Sequence, residues 1–212
     1  MRILFIIVIW AITGIISAAV PIDGWYDNIF IGYTYLPSNL NVGSNNNIFS
    51  DIAYNSGYNA GGRLGYKSNP MRYEGEVTYI HANVTGFQLN YQPQTGVTGY
   101  SQTAAFMANV YYDFPGITQT LEPFLGLGLG AAWADIDVTS TGPNNGGHTG
   151  HPDTVFAYQA ITGLTYNFAE TLGLDLAYRY FATTEVGSLG KIFQANLITI
   201  GATYRFDDCR YK

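Results

Sequence analysis

Nine charged side chains in this sequence could do chemistry if the fold brought them together. They are Arg63, Lys67, Arg72, Arg179 and Arg205 with Glu74, Glu76, Asp113 and Asp175. Paired carboxylates such as Glu74 and Glu76 suit general acid–base catalysis. Their setting among Arg63 and Arg72, with no cleft implied, favours a structural ion-pair network instead. His148 and His151 form an H-x-x-H pair in "GPNNGGHTGHPD", with Asp153 close by. Such a pair can hold a metal, but this loop sequence fixes no geometry and implies no third ligand, so no metal is expected. His81 stands on the same strand face as Tyr79, where an acyl hydrolase working from a lipid surface could use it. A nucleophilic Ser should then face it from a neighbouring strand. Ser56 and Ser101 fall only at strand ends, so no triad is evident. Cys209 is the single cysteine and cannot form an internal disulfide. The sequon Asn83-Val84-Thr85 reads as a chance match. No catalytic constellation and no cofactor are implied, and the chain is not expected to be an enzyme.

The elements that carry the charges are better defined than any site. In "MRYEGEVTYI" (71–80), Arg72, Glu74 and Glu76 alternate with Met71, Tyr73, Val77 and Tyr79. Period two means a β-strand with unlike faces. Eight segments read this way, at about 26–36, 57–69, 71–82, 103–114, 122–134, 155–168, 171–181 and 194–206. Three gaps between them are tight: "SNP", "PGITQTL" and "AET". Four are long, at 37–56, 83–102, 135–154 and 182–193, and rich in Asn, Gly, Ser and Thr. Short turns at one end and long loops at the other lay out an up-and-down barrel.

Composition bears on which face is outside. Charged residues are 11% of the 212, against about 25% in ordinary soluble proteins. Aromatics reach 16%, and no segment after the first twenty residues resembles a spanning helix. The net charge of −6, without a basic cluster, excludes nucleic acid as a partner. At the start, Arg2 precedes an apolar run from Ile3 to Ile16, with Ser17 and Ala19 at −3 and −1 of a cleavage position. Residues 1–19 are therefore expected to be a secretory signal peptide, 20–206 the barrel, and 207–212 a short periplasmic tail.

Three features favour a membrane barrel over a soluble one. In "FLGLGLGAAW" (124–133), Gly126, Gly128 and Gly130 share the face opposite Leu125, Leu127, Leu129 and Trp133. A glycine row suits a crowded lumen rather than a wetted surface. The expected outer face carries Tyr26, Tyr66, Tyr73, Tyr112, Phe114, Tyr166, Phe168, Tyr204 and Phe206 at the short-turn ends. It carries Tyr35, Tyr58, Tyr79, Trp133, Tyr158 and Tyr180 at the long-loop ends, with Ile29, Ile31, Leu64, Val77, Leu127, Leu174, Leu176 and Ile198 between. Two aromatic girdles around an aliphatic band mark two lipid–water boundaries. The opposite face holds the nine charges, five positive and four negative, a near balance that suits a closed lumen. Arg63 and Arg179 are expected to meet Glu76 and Asp175 at mid-height, with Arg72, Glu74, Asp113 and Arg205 nearer the short turns.

"NVYYDF" (109–114), "LDLAYRYF" (174–181) and "LITIGATYRF" (197–206) resemble the opacity-like surface antigens, a family of OmpA-type eight-stranded outer-membrane barrels. The resemblance implies an all-β, antiparallel, up-and-down transmembrane barrel of a Gram-negative outer membrane, with periplasmic termini and extracellular long loops. It implies that Ile198, Ile200, Tyr204 and Phe206 form the signal that the barrel-assembly machinery reads, although "DDCRYK" follows the usual terminal aromatic. Outer-membrane lipids and the assembly machinery are the expected partners, with host surface molecules as candidates for the loops. Asp51, Asp135, Asp137, Asp153 and Glu185, against Lys191 alone, make the loops mildly acidic and unsuited to polyanions. A structural or adhesive surface role with a plugged lumen is the leading expectation. A narrow pore for small solutes comes second and a lipid A-modifying enzyme third.

Overall fold

The computed structural model describes residues 21–37, 39–42, 49–89, 92–115, 120–142, 148–149, 152–186 and 191–206. The expected signal peptide, the tail with Cys209, and His151 lie outside them. Eight long strands build the wall: β1 (Gly24–Tyr35), β4 (Gly57–Ser68), β5 (Met71–Leu89), β7 (Thr98–Asp113), β8 (Leu121–Thr139), β10 (Asp153–Asn167), β11 (Leu172–Val186) and β12 (Lys191–Arg205). Four short strands join them at the long-loop end: β2 (Asn39–Val42), β3 (Phe49–Tyr54), β6 (Gln92–Pro93) and β9 (His148–Thr149).

Each long strand pairs antiparallel with its neighbour, in the order β1, β4, β5, β7, β8, β10, β11, β12. β12 then pairs with β1, from Tyr26 opposite Arg205 to Tyr35 opposite Asn196, and the sheet closes on itself. Closure removes the sheet edges, which is what a β-structure surrounded by hydrocarbon requires. Among the described residues no helix is long and apolar enough to cross a membrane; this barrel presents strands instead. Exposed aliphatics such as Ile29, Ile31, Leu127 and Leu174 alternate along their strands with inward-facing residues, among them Asn28, Phe30 and Asp175. Lipid would cover that exposed band, so its apolar character is consistent with the fold.

The strands run further at the long-loop end than their composition suggests. β5 continues past Ala82 to Leu89, and there β3 replaces β4 as its partner, from Tyr54 opposite Val84 to Ser50 opposite Leu89. β2 adds to β3, and β7 and β8 stay paired to Thr98 opposite Thr139. The expected loops 37–56, 83–102, 135–154 and 182–193 are thus partly strand, and Asp51, Asp135, Asp137, Asp153, Glu185 and Lys191 all lie in it. Asn and Gly are poor strand formers alone, but pairing with an established neighbour overrides that preference. The rim is uneven. Tyr79, Ala104 and Trp133 stand in one row; β5 runs on from Tyr79 to Leu89, whereas β10 begins at Asp153, opposite Ala134.

A closed barrel of this kind resists detergent at room temperature. Purified from membranes, the protein should run at different positions on a gel with and without boiling, and give a β-dominated circular-dichroism spectrum. A helical spectrum, or identical migration in both lanes, would contradict the closed wall.

Candidate functional site

The interior is where the charged residues converge. Arg63, Lys67, Arg72, Glu74, Glu76, Asp113, Asp175, Arg179 and Arg205 all point inward and are buried. Alternation places them there, because each shares its strand face with the other inward residues. At mid-height the carboxylate of Glu76 accepts from Arg63 Nε at 2.9 Å, from Asn109 Nδ2 at 2.9 Å and from Arg179. Gln159 accepts from Arg179 at 2.7 Å and donates to Asn109 Oδ1 at 2.8 Å, which closes a ring across β5, β7, β10 and β11. The guanidinium groups of Arg63 and Arg179 both lie over the ring of Phe30, at 4.3 and 4.9 Å from its centroid. Planar cations stack on aromatic faces in this way, so Phe30 holds both against Glu76.

Toward the short turns a second group forms. Arg72 Nε reaches Asp113 at 2.8 Å, and Lys67 lies 3.3 Å from Asp113 and 3.0 Å from Glu122. Arg205 donates to Asn167 at 2.8 Å, and Arg72 sits 4.8 Å from the centroids of both Tyr111 and Phe124. Glu122 is a member that the pattern of charges alone did not single out. Its parity with Phe124 and Gly126 was the available signal. With it the interior holds five cations and five anions among the described residues, a full balance where the nine showed only a near one.

Two expectations need correction. Asp175 does not meet an arginine: among the described residues its carboxylate accepts from Asn28 at 2.8 Å and from Thr165 and Thr203 at 2.6 Å. Three neutral donors cost less to bury than a cation and satisfy the carboxylate equally in number. Tyr26 is not a girdle residue. It is 2% exposed, points into the barrel, and its hydroxyl donates to Glu74 Oε1 at 2.5 Å. Tyr26 shares parity with Asn28 and Phe30, whereas Ile29 and Ile31 face out; Trp25 takes the outer position and packs edge-on against Tyr66. A tyrosine near a strand end fits a girdle by depth, but parity decides the face.

The remaining aromatics lie where alternation puts them. Tyr35, Tyr58, Tyr66, Tyr73, Tyr112, Phe114, Trp133, Tyr158, Tyr166, Tyr204 and Phe206 are exposed on the outer surface. Tyr79 and Tyr180 are partly covered, and Phe168 is in the turn after β10. Ile198 and Ile200 are outward with Tyr204 and Phe206. Tyr33, Phe106, Phe156 and Tyr178 join the outer face as well.

Above the charged tier the interior changes character. Ile80, Ala82, Met107, Ala132, Phe181, Phe193 and Leu197 are buried there in one apolar cluster that also takes in Leu36 and Val138. Phe181 and Phe193 meet edge to face, with centroids 6.1 Å apart. The charged tier keeps spare hydrogen-bonding capacity, since Arg179 Nε and Nη1 and the Tyr111 hydroxyl have no protein partner. A polar space of that kind suits water. The tier above is more apolar but also buries Asn59, Ser101 and Thr103 beside Ile80 and Ala82, with Asn59 Oδ1 and both hydroxyls unpartnered among the described residues.

Glycines make the packing possible. Large inward side chains stand directly opposite a glycine of the next strand: Tyr26 and Gly65, Phe30 and Gly61, Asn109 and Gly128, Tyr111 and Gly126, Phe124 and Gly163. A Cβ built on Gly65 would come within 2.5 Å of the Tyr26 ring, and one on Gly61 within 2.5 Å of the Phe30 ring. No side chain fits in such a seat without displacing its occupant.

Outside this interior, chemistry is sparse. His81 faces outward, with its ring 5.2 Å from that of Tyr58 and with Gln102 opposite on β7. Ser101 is buried and inward, and Ser56 is hydrogen-bonded to Tyr33 at 2.7 Å. No group of three or more His, Cys, Asp or Glu placed to hold a metal is present among the described residues.

Comparison with known proteins follows the same line. Residues 23–206 match a family model described as the outer membrane protein beta-barrel domain. A protein named outer membrane protein from Gluconacetobacter diazotrophicus is 30% identical over 142 residues, covering 62% of this chain and 36% of its own length. An uncharacterised protein of Brucella abortus is 26% identical over 153 residues, covering 62% of this chain and 54% of its own. The chain thus spans about a third to a half of the length of these curated relatives. Among solved structures, Neisserial surface protein A is similar with a TM-score of 0.57 at 18% identity, over 86% of this chain and 97% of that one. OprG from Pseudomonas aeruginosa gives a TM-score of 0.57 at 10% identity, over 89% and 100%. At those identities the likeness is one of fold. With the matched family model, the closed eight-stranded wall and its apolar exterior, the chain belongs to the eight-stranded outer-membrane β-barrel family.

Proposed function

We propose that this barrel is a non-enzymatic surface scaffold, structural or adhesive in role, whose working part is its long-loop end and whose lumen is closed to solutes. The observation that carries this reading is the two-tier filling of the interior: a charge-balanced network below and an apolar cluster above. With the lumen full, the surface left to act is the uneven rim, where β3 and β5 rise furthest. Short turns belong to the periplasmic side and longer connections to the outside in barrels of this class. On that basis the termini are periplasmic and the β3–β5 blade is extracellular. Lipids and the assembly machinery are its partners in the membrane, the latter through Ile198, Ile200, Tyr204 and Phe206. Host surface molecules are the partners proposed for the rim.

A narrow pore is the second reading, favoured by the unpartnered polar groups of both tiers. A lipid A-modifying activity is third, since His81 has Tyr58 and Gln102 rather than a serine beside it. Whole cells with and without the gene, compared for binding to host-matrix and host-cell surfaces, test the first reading. Solute uptake and lipid A analysis on the same pair test the other two. Moving the four long-loop segments onto an inert barrel should carry binding with them. Binding that persists after all four are trimmed would place recognition elsewhere and remove the adhesive role.

A further inference from the structure

We infer that Asp27, on the outer face of β1, forms a site for the primary ammonium group of a lipid headgroup. Between the two girdles the outward residues of the wall are aliphatic, aromatic, small or neutral polar; among the described residues Asp27 is the one charged exception. It is exposed and shares its face with Trp25 and Ile29, between which it stands. Across the strand pairs it faces Tyr204 on β12 and Leu64 on β4. Among the described residues no group hydrogen-bonds or ion-pairs with its carboxylate. A charge on a lipid face is destabilising, increasingly so with depth, so what offsets this one comes from outside the chain.

The aromatic residues around Asp27 add a second attraction. Toward the short turns Trp25 stands opposite Tyr66, with ring centroids 5.5 Å apart, and on its other side the Phe206 N–H donates to the Trp25 carbonyl at 2.9 Å. Tyr204 and Phe206 meet edge to face at 5.5 Å. Four outward rings thus border the carboxylate on three strands. Aromatic faces attract cations, and a carboxylate at a partly apolar boundary attracts them more strongly than in water. The occupant follows from its chemistry. A calcium or magnesium ion needs about six oxygens or more, and one carboxylate supplies two. An anionic headgroup is repelled. A quaternary ammonium suits the rings but has no N–H to donate, whereas a primary ammonium has three. A lysine of a second protein carries the same group, but its binding costs association entropy that a lipid already at the wall does not pay. The rings lie where headgroups of the leaflet at the short-turn end are expected. The inference rests on the membrane location and not on the proposed surface role.

The test reconstitutes the protein, isolated from membranes, in phosphatidylcholine vesicles that hold a trace of one of two probes. The probes are phosphatidylethanolamine and phosphatidylcholine, each with the same diazirine near the glycerol end of one acyl chain. After irradiation and peptide mapping, the ethanolamine probe should label β1 about threefold more than the choline probe, the size of one exposed ion pair. On β8 and β10 the two probes should label equally. Asp27→Asn should bring the β1 ratio to one, while unheated gel migration reports that the barrel is still closed. Asp23→Asn should leave the ratio unchanged, since Asp23 lies beyond Trp25 and accepts from the Asn69 N–H at 3.3 Å. If Asp27→Asn fails to close, the wild-type ratio of β1 against β8 and β10 decides alone. Equal labelling of β1 by the two probes would overturn the site. So would a preference that survives Asp27→Asn, which would assign it to the rings. Amine-to-carboxyl crosslinks in isolated membranes that join Asp27 to a second protein would assign the carboxylate to that partner and overturn the lipid. A protein that does not enter the vesicles at all would count against the membrane location and remove the site with it.

Discussion

Glu76→Ala is expected to destabilise the barrel by about 3–5 kcal/mol, the range for removing one partner from a buried ion pair. Glu76 is the sole carboxylate hydrogen-bonded to both Arg63 and Arg179 among the described residues, and both of its oxygens are engaged. Arg179 is fully buried, so its charge would lose its nearest anion without gaining bulk water. The interior would also move from five against five to five against four. Unfolding in urea, followed by gel migration or tryptophan fluorescence in lipid, measures the change. Glu76→Gln should fall between wild type and Ala, because it keeps an acceptor but loses the charge. A shift within about 0.5 kcal/mol, the range of an ordinary surface substitution, would show that the network is dispensable.

The apolar tier supports the second large effect. Phe181 is fully buried against Phe193, and Phe181→Ala should cost about 3–5 kcal/mol through lost contacts and a cavity. The sharper readout is electrical. Hydrophobic constrictions block ions by excluding water, so the apolar tier should hold the barrel shut even where the charged tier below is wet. In planar bilayers the wild type should pass no steady current. Glu76→Ala should give brief flickers at most, and only the combination with Phe181→Ala should lengthen them into resolved openings. Phe181→Leu, which keeps most of the volume, should stay closed. Steady ohmic channels from the wild-type monomer would refute a closed lumen and put the pore reading first.

Much of this was legible in the residues, and the misses have physical causes. Strand faces could be read wherever one side was charged and the other aliphatic, as along Arg72, Glu74 and Glu76. The apolar tier could not, because there both sides of the wall are apolar: Ile80 and Ala82 face in while Tyr79 faces out, and period two fades from the sequence. The strand ends beyond Ala82 and Ala134 were hidden for another reason. Their Asn-, Thr- and Gly-rich sequences are ordered by pairing with a neighbour, a non-local cause that composition does not carry. Asp175 shows the limit of charge counting, since hydroxyl and amide donors on three other strands hold it as well as an arginine would. Tyr26 shows that depth and face are separate questions.

The glycine seats bear on how the wall can assemble. A strand that slips by one residue turns its charges into lipid and is rejected at once. A slip of two keeps every side chain on its proper face, so polarity cannot detect it. Geometry can. Sliding β4 by two against β1 would put Tyr26 opposite Arg63 or Lys67 instead of Gly65, and Phe30 opposite Asn59 or Arg63 instead of Gly61. Sliding β8 by two against β7 would put Tyr111 opposite Phe124 in one direction but opposite Gly128 in the other, so the glycine row of β8 guards this seam on one side alone. Between β1 and β4 the alternation of bulk and void therefore works as a ruler: against slips of two, only the observed alignment puts both Tyr26 and Phe30 opposite a glycine. Along these seams part of the proofreading is thus written into steric size, independently of the charges that fill the wall afterwards.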